Sequence, residues 1–443
     1  KVEQRQQYGK KDGFEFMINL HNISPVDDAF EDYRLTEEDK EQILELSKRD
    51  DIYELLVNTL APEIHGHKTV KQGLLLQLLE GNRPSDDCMK SESMDRWTSH
   101  ILLIGDPGIG KSQLVSAVNK RAPKCISISG TNTSQAGLTT SAVKDELTGT
   151  WTMEAGGVVL ADTGLLCIDE FDKLSASAQK SLNEQMEQLS VSSAKAGLVQ
   201  TMTARTSILA VANPKYSRFK EDKSFKEQLD IAESTLSRFD LIFALTDSIN
   251  EVNDKELATA LLSNSSKDDE LEVLSDDCFK KYITYMKANC FPVLTDEVID
   301  VLSEFYVTVR QEASKSYDGK PITARDLKSL ERLTIARAKC EGRDYTELSD
   351  AEEAIRIYNE SLESLGLSVT TAGELQSIMS DEEFEIINDI ELMIKSEADY
   401  EGFPLSNESL SKLEFECGLK CHGTSLDSEQ VFRKCLLKVK KSL

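Results

Sequence analysis

The stretch Ile101-Leu-Leu-Ile-Gly-Asp-Pro-Gly-Ile-Gly-Lys-Ser112 decides the fold predicted for this chain. Its four leading apolar residues have the length and composition of a buried strand. Residues 105–112 match the phosphate-binding pattern GxxxxGK followed by Ser or Thr, and the residues after Ser112 have a helical pattern. Because the pattern requires a strand, this loop and a helix in succession, the sequence predicts a P-loop fold.

The residue types of this loop suit a nucleotide. Its glycines let backbone N–H groups approach phosphate oxygens, and the helix N-terminus adds partial positive charge. Lys111 can reach the β- and γ-phosphates of ATP, and the Ser112 hydroxyl can bind Mg²⁺. The candidate nucleotide contacts are therefore Gly105, Asp106, Pro107, Gly108, Ile109, Gly110, Lys111, Ser112 and Gln113.

Further apolar runs predict an α/β fold. Buried strands are predicted at residues 101–104, 125–128, 165–168, 207–212 and 241–245. Helical patterns lie between most of them, and short buried strands alternating with helices are typical of a parallel sheet covered on both faces. Residues 250–365 show only helical patterns, so we expect a helical lid to follow the sheet.

Polar residues at two strand ends supply candidate catalytic groups. Asp169 and Glu170 follow the strand at 165–168. Asp169 would hold Mg²⁺, and Glu170 would orient and deprotonate the attacking water. Adjacent acidic residues are usually surface decoration, but their position after a buried strand favours catalysis. Asn213, after the strand at 207–212, would bind the γ-phosphate or the water; alternatively, it only opens a turn before Pro214.

The composition describes a large acidic chain. It has 443 residues, with 51 Lys and Arg, 78 Asp and Glu, and a formal net charge of −27. This balance argues against a basic nucleic-acid coat protein, although it allows local basic elements. No apolar run approaches the length of a membrane span. Nine dispersed cysteines indicate reduced thiols in an intracellular protein.

Four further motifs resemble the minichromosome maintenance (MCM) replicative helicases, which are AAA+ ATPases that work as hexameric rings. They are Trp151-Thr-Met-Glu-Ala-Gly-Gly-Val-Val-Leu-Ala-Asp162, Ile168-Asp-Glu-Phe-Asp-Lys173, Ala194-Lys-Ala-Gly197 and Leu236-Ser-Arg-Phe-Asp240. The resemblance covers residues 14–345. It implies a AAA+ core with a helical lid, ATP and Mg²⁺ as cofactors, and ATP-driven DNA unwinding during replication. A nucleotide-gated MCM-like scaffold or loading factor, and another AAA+ machine, are the alternatives.

The resemblance also assigns residues that act across a subunit interface. Arg238 resembles the arginine finger, and Arg325 resembles sensor 2; both would reach the neighbour's nucleotide. Gln188 and Arg96 match positions that approach the same nucleotide, and Ile64 lies in the segment that packs on the adenine. Residues 229–235 lack the prolines of the family, which leaves the geometry of the finger loop open.

Two insertions are expected to contact DNA. Residues 139–158 correspond to the helix-2 insert, a β–α–β excursion into the ring channel, and residues 190–204 to the pre-sensor hairpin, with Lys195 near its tip. A lysine there is most often only a turn residue, but six copies on one axis would contact backbone phosphates. The implied partners are single- and double-stranded DNA, a homo- or hetero-hexamer with other MCM subunits, and other replication factors, without a membrane.

Five segments are predicted: a remnant of an N-terminal domain and linker at 1–34, the AAA+ core at 35–249, the lid at 250–365, a linker at 366–380 and a winged-helix-like domain at 381–443. The acidic residues of 381–410 favour protein docking or a regulatory role in the last segment; DNA contact by the basic tail Lys434–Lys441 and a merely solvated cap are the alternatives. The short stretch at 213–219 favours an archaeal protein and hence the cytoplasm, with the eukaryotic nucleus as the alternative.

Overall fold

The computed structural model describes residues 2–6, 14–18, 35–64, 66–84, 96–144, 151–195, 198–215, 219, 228–245, 272–315 and 323–365. The chain divides into two units, Lys1–Leu367 and Ser368–Leu443, and all described residues belong to the first. The predicted linker at 366–380 and the winged-helix-like domain at 381–443 lie outside the described residues.

In chain order the strands are β1 (Val2–Gln6), β2 (Phe14–Ile18), β3 (Ile101–Gly105), β4 (Cys125–Ser129), β5 (Thr140–Lys144), β6 (Trp151–Ala155), β7 (Leu165–Asp169), β8 (Ser190–Lys195), β9 (Leu198–Thr203), β10 (Ser207–Ala212) and β11 (Leu241–Leu245). The helices are α1 (Glu37–Leu46), α2 (Ile52–Leu60), α3 (Lys68–Leu79), α4 (Lys111–Arg121), α5 (Gln135–Leu138), α6 (Gly157–Leu160), α7 (Ala176–Gln188), α8 (Glu233–Leu236), α9 (Asp276–Asn289), α10 (Asp296–Lys315), α11 (Ala324–Cys340) and α12 (Leu348–Ser364).

A five-stranded parallel sheet forms the centre of this unit, in the order β11-β3-β10-β7-β4. The strands β3, β10 and β11 are buried along their whole length, whereas the edge strand β4 is half-buried. Helices α3 and α12 pack against β3 and β11, and α4 packs against β4, β7 and β10. The predicted α/β fold with five parallel strands is confirmed.

The first helices show how local sequence sets the element boundaries. Thr36 caps α1: its hydroxyl accepts the N–H of Asp39 at 3.2 Å, and the Asp39 carboxylate accepts the N–H of Thr36 at 3.0 Å. In α3 the leucines at 74, 75, 76 and 79 are fully buried. The buried Gln77 amide donates to the carbonyls of Ser99 and Ile208, which ties α3 to β10 and to the residues before β3.

The lid comprises α9 to α12. The predicted helices at 295–314 and 323–340 correspond to α10 and α11. One departure from the helix-only prediction is an isolated parallel bridge between Val293 and Tyr345. Among the described residues, no helix is both long and apolar enough to cross a membrane.

Among the residues that the structure describes, three antiparallel strand pairs accompany the central sheet. The predicted strand at 14–20 is β2, and it pairs with β1. The expected insertions appear as the pairs β5–β6 and β8–β9. The helical part expected between β5 and β6 falls on residues 145–150, outside the described residues. Lys195 is the last residue of β8 and pairs with Leu198, at the end of the hairpin next to its turn.

Candidate nucleotide site and subunit interface

The P-loop connects β3 to α4, and its glycines serve different purposes. Gly108 and Gly110 have φ angles of +94° and +81°, in the region that favours glycine. Gly105 faces the neighbouring strand, where a Cβ would lie 2.5 Å from the Leu245 carbonyl oxygen. The sequence therefore builds an open loop of backbone at the carboxyl edge of the sheet.

Lys111 is buried at the start of α4. Its Nζ donates to the carbonyl oxygens of Gly105 and Asp106, the latter at 2.6 Å. Burial lowers the pKa of Lys111, and the nearby carboxylates of Asp106 and Asp169 oppose this effect. An ammonium held inside a loop of this shape is a group that nucleotide phosphates would satisfy, so the loop fits the predicted ATP.

Two oxygen ligands for a divalent cation lie next to this lysine. The Ser112 hydroxyl donates to the Asp169 carboxylate over 3.4 Å, although Ser112 is the second residue of α4 and Asp169 ends β7. A hydroxyl and a carboxylate are hard oxygen donors of the type that Mg²⁺ prefers. The pair predicted from sequence is thus brought together, and its residues fit the predicted Mg²⁺.

Glu170 has a left-handed backbone, with φ +53° and ψ 46°. Its carboxylate accepts hydrogen bonds from the hydroxyls of Ser129, at 3.1 Å, and Thr131. A Cβ at Gly130 would lie 2.2 Å from the Glu170 carbonyl oxygen, so only glycine fits there. The sequence analysis missed both hydroxyl residues. The available signal was their position at the end of β4, where Ser129 is the last residue and Thr131 follows two positions later, because parallel strands end at the same edge.

Asn213 follows β10, the strand between β3 and β7. This order places it between the P-loop and the acidic pair, and its backbone N–H donates to the Asp172 carboxylate at 3.1 Å. In the P-loop, the Asp106 carboxylate accepts the backbone N–H of Phe219 at 3.1 Å. The remaining predicted loop contacts differ in exposure: Pro107, Gly108 and Gln113 are exposed, and Ile109 and Gly110 are half-buried.

Ile64 lies between α2 and α3. Its carbonyl oxygen accepts a hydrogen bond from Lys71 at 2.5 Å, and the neighbouring Glu63 carboxylate forms an ion pair with Arg121 at 3.1 Å. Arg121 ends α4, whereas Lys111 begins it. The structure therefore anchors this segment to the far end of the P-loop helix, and a contact of Ile64 with adenine stays a prediction.

Arg238 and Arg325, predicted to act in trans, converge on one carboxylate. Glu187 forms ion pairs with the guanidinium groups of Arg238, at 2.9 Å, and Arg325. Burial opposes ionisation of Glu187, but the Arg325 and Arg238 charges lower its pKa. Gln188 is the exposed last residue of α7, next to Glu187 in the chain. Glu187 is a candidate site residue that the sequence analysis missed.

Arg96 belongs to a buried ion cluster near Arg238. Its guanidinium binds both carboxylate oxygens of Asp240, at 2.7 and 2.8 Å, and Asp240 also pairs with Arg332 of the lid. Burial would raise the pKa of Asp240, but the charges of Arg332 and Arg96 hold it well below its usual range. This buried ion cluster joins the lid to the residues just after Arg238, and thereby restricts the position of Arg238.

These side chains line a basic cleft of about 290 Å³. Its lining includes Arg96, Arg238, Arg325, Lys328 and Arg332, and contains no residue of the P-loop and neither Asp169 nor Glu170. The two sets of predicted nucleotide contacts therefore belong to separate surfaces of this subunit. Such a separation is what a site shared between two copies requires.

The comparisons with known proteins extend over both parts of the described unit. Residues 39–265 match the MCM P-loop domain family, and residues 277–362 match the MCM AAA-lid domain family. The P-loop match alone covers half of the chain. The sequence-derived resemblance, and the AAA+ core with a lid that it implied, are thereby confirmed.

Individual relatives span eukaryotes and archaea. The chain is 34% identical over 373 residues to the DNA replication licensing factor MCM2 of Oryza sativa subsp. indica, covering 79% of this chain and 38% of the relative. It is 40% identical over 333 residues to the DNA replication licensing factor MCM4 of Arabidopsis thaliana, covering 74% and 39%. It is 33% identical over 374 residues to the minichromosome maintenance protein MCM of Saccharolobus solfataricus, covering 84% and 54%.

The matches thus correspond to about two fifths to one half of the relatives' length. The two family matches together include the P-loop, the β5–β6 and β8–β9 hairpins, Arg238 and most of the lid helices, in this order. On this evidence the chain belongs to the MCM family.

Proposed function

We propose that this chain is an ATP-hydrolysing subunit of a hexameric DNA helicase that translocates on DNA and unwinds it during replication. The proposal rests on the observation that the candidate site residues lie on two different surfaces of the subunit. Lys111, Ser112, Asp169 and Glu170 meet at one edge of the sheet, while Arg238 and Arg325 converge on a different surface. Neither surface holds a complete hydrolytic site, but two neighbouring subunits would assemble one.

Each residue then has a role in hydrolysis. The backbone of the P-loop and Lys111 would bind the phosphates of ATP. Mg²⁺, held by Ser112 and Asp169, would neutralise charge on the phosphates when bound. Glu170 would take a proton from the attacking water, and Asn213 would orient that water or the γ-phosphate. The hydroxyls of Ser129 and Thr131 both donate to Oε2 of Glu170, so the other oxygen, Oε1, could accept the hydrogen bond from water.

The neighbouring subunit would complete the site. Arg238 and Arg325 would stabilise the negative charge that develops on the transferred phosphoryl group. Gln188 and Ile64 belong to the proposed nucleotide contacts, on the finger side and the adenine side respectively. We also propose the boundaries predicted above, with the core at 35–249, the lid at 250–365 and a winged-helix-like domain at 381–443.

DNA would be bound by the hairpins. Lys195 stands at the turn end of β8–β9, where copies around a ring axis would contact successive phosphates without reading sequence. The partners we propose are single- and double-stranded DNA, further MCM subunits and other replication factors. We infer an intracellular place of action, the archaeal cytoplasm or the eukaryotic nucleus, since relatives of both origins match.

The test is ATPase activity with and without single-stranded DNA, together with strand displacement on a forked substrate. The proposal predicts that the assembled protein hydrolyses ATP faster with DNA and separates the strands, and that Lys111→Ala abolishes both activities. The alternative, a nucleotide-gated scaffold or loading factor, predicts nucleotide binding without displacement. An assembled ring with neither DNA stimulation nor displacement would contradict the proposal.

Lys195→Ala tests the DNA contact separately. We expect the variant to retain ATP hydrolysis without DNA, because Lys195 lies at the turn end of the β8–β9 hairpin, which carries none of the proposed catalytic residues. Strand displacement should be lost, since the phosphate contacts that transmit movement are gone. Normal displacement by this variant would remove Lys195 from the proposed DNA contacts.

A further inference from the structure

A second cavity, of about 230 Å³, lies between the core and the lid. Its core wall includes Leu165 and Ser207, the first residues of β7 and β10, and its lid wall includes Lys287 of α9 and Lys339 of α11. The P-loop follows the opposite, carboxyl ends of the strands. This cavity is therefore separate from the proposed nucleotide site.

The lining of this cavity carries an excess of positive charge. Arg83, Lys124, Lys287 and Lys339 line it, and Glu80 is the one carboxylate among the residues that do. The Glu80 carboxylate is already shared, because it accepts the Ser207 hydroxyl at 2.8 Å and pairs with Lys287 at 3.2 Å. The net charge of the chain is −27, whereas the lining of this cavity contains four cationic side chains and one carboxylate, so it is locally positive.

Lys339 is the most buried of these cations, at 1% exposure. Its Nζ donates to the Gly81 carbonyl at 2.8 Å and lies 5.8 Å from the centroid of the Phe291 ring. Burial lowers the pKa of Lys339 to about 8, while the nearby Glu80 opposes this effect. Keeping such an ammonium charged out of water is costly unless an anion approaches it.

We propose that this cavity binds a small phosphorylated anion, inorganic phosphate or a phosphomonoester. Lys339 and Lys287 would hold the phosphate oxygens, and Arg83 and Lys124 would add long-range attraction. Thr163 also lines the cavity, and a threonine hydroxyl can donate a hydrogen bond to a phosphate oxygen. A dianion matches the charge excess, and the volume leaves space for a small organic group beside the phosphate.

Binding there would affect the whole unit. The lining comes from both the core and the lid, so the ligand would favour the core–lid arrangement in which its contacts are complete. Binding of an anion at this site would therefore stabilise one arrangement of the core and the lid, independently of the P-loop.

The first experiment uses the full chain carrying Lys111→Ala, which weakens phosphate binding by the P-loop. Calorimetric titrations with inorganic phosphate, glycerol 3-phosphate and sulfate, at constant ionic strength, compare the two phosphorylated sources with a non-phosphorylated dianion. Hydrogen exchange is measured in parallel. We expect saturable binding of at least one phosphorylated probe, with protection of residues 79–83 and 284–288.

Variants of the lining then locate the site. Lys287→Met and Lys339→Met, each added to Lys111→Ala, should weaken phosphate binding about tenfold or more, the effect of losing a charge-assisted hydrogen bond. Lys280→Met is the matched control, because Lys280 is also on α9 but does not line the cavity. Should Lys339→Met fail to fold, the more exposed Lys287 still decides the question. Absence of saturable binding, or binding that neither lining variant weakens, would overturn the proposal.

Discussion

Glu170 and Glu187 are two carboxylates with different expected roles. Glu170 follows β7 beside the Asp169 that pairs with Ser112, so it stands where an attacking water would be activated. Glu187 is bound to two arginines that the family resemblance assigns to the neighbour's nucleotide. Glu170 would accept a proton from the attacking water, and Glu187 would hold the two arginine side chains in position.

Replacing Glu170 with Gln should separate binding from hydrolysis. The amide keeps the shape of the side chain and loses the base, so we expect ATP binding to persist while kcat falls by about a hundredfold or more. Equilibrium nucleotide binding and steady-state hydrolysis are measured on the same preparation. Unchanged hydrolysis would show that another group activates the water.

Replacing Glu187 with Gln should lower kcat of the assembled protein about tenfold, because both arginines lose the charged partner that positions them. KM for ATP should change less, since Glu187 is not expected to contact the nucleotide. Glu352→Gln, an exposed carboxylate on α12, is the control. A kcat equal to that of the control would show that the arginines need no such positioning.

At the scale of elements, the pattern of apolar residues predicted the strands and helices that are stabilised by burial. The five central strands and the lid helices follow from continuous or periodic apolar runs. The strand β1 was missed because Val2-Glu-Gln-Arg-Gln6 contains one apolar residue, and its partner β2 alone carries the pattern. The bridge between Val293 and Tyr345 was missed because it joins single residues far apart in the chain.

The residues of the candidate site also fall into two groups, those that local motifs predicted and those that only tertiary packing brings together. The loop and the acidic pair are local in sequence, so motif spacing predicted them. The contacts of Glu187 join residues 51 and 138 positions apart in sequence, and tertiary packing alone creates them. The hydroxyls that bind Glu170 likewise come from the end of a different strand, which no motif predicts.

Helix α11 carries a pH prediction through Lys339. Its folded pKa of about 8 is below its ordinary value of 10.5, so the unfolded chain binds more protons between these values. Stability contributed by this residue should therefore rise with pH across that window, by about 3 kcal/mol. The measurement is urea unfolding of the wild type and Lys339→Met from pH 7 to 11. A difference between the two free energies of unfolding that does not change with pH would contradict the assignment.

At the scale of the whole molecule, the acidic balance and the proposed DNA binding are compatible. The cationic groups that are proposed to bind anionic ligands are concentrated in three places: the β8–β9 hairpin, the basic cleft and the core–lid cavity. Of these, the hairpin is the proposed DNA contact. Ring symmetry would multiply the hairpin contacts, so the net charge of −27 does not decide the interaction with DNA. The central claim is instead that two subunits share each hydrolytic site.

The most direct measurement is the ATPase activity of mixed variants. Lys111→Ala would lack the proposed phosphate-binding side of the site, and Arg238→Ala would lack the proposed arginine finger. Each variant alone should be inactive, whereas random co-assembly at equal amounts should restore about a quarter of the wild-type activity, because one interface in four pairs an intact P-loop with an intact finger. Mixed rings, verified by cross-linking, that show no more activity than the separate variants would contradict the account.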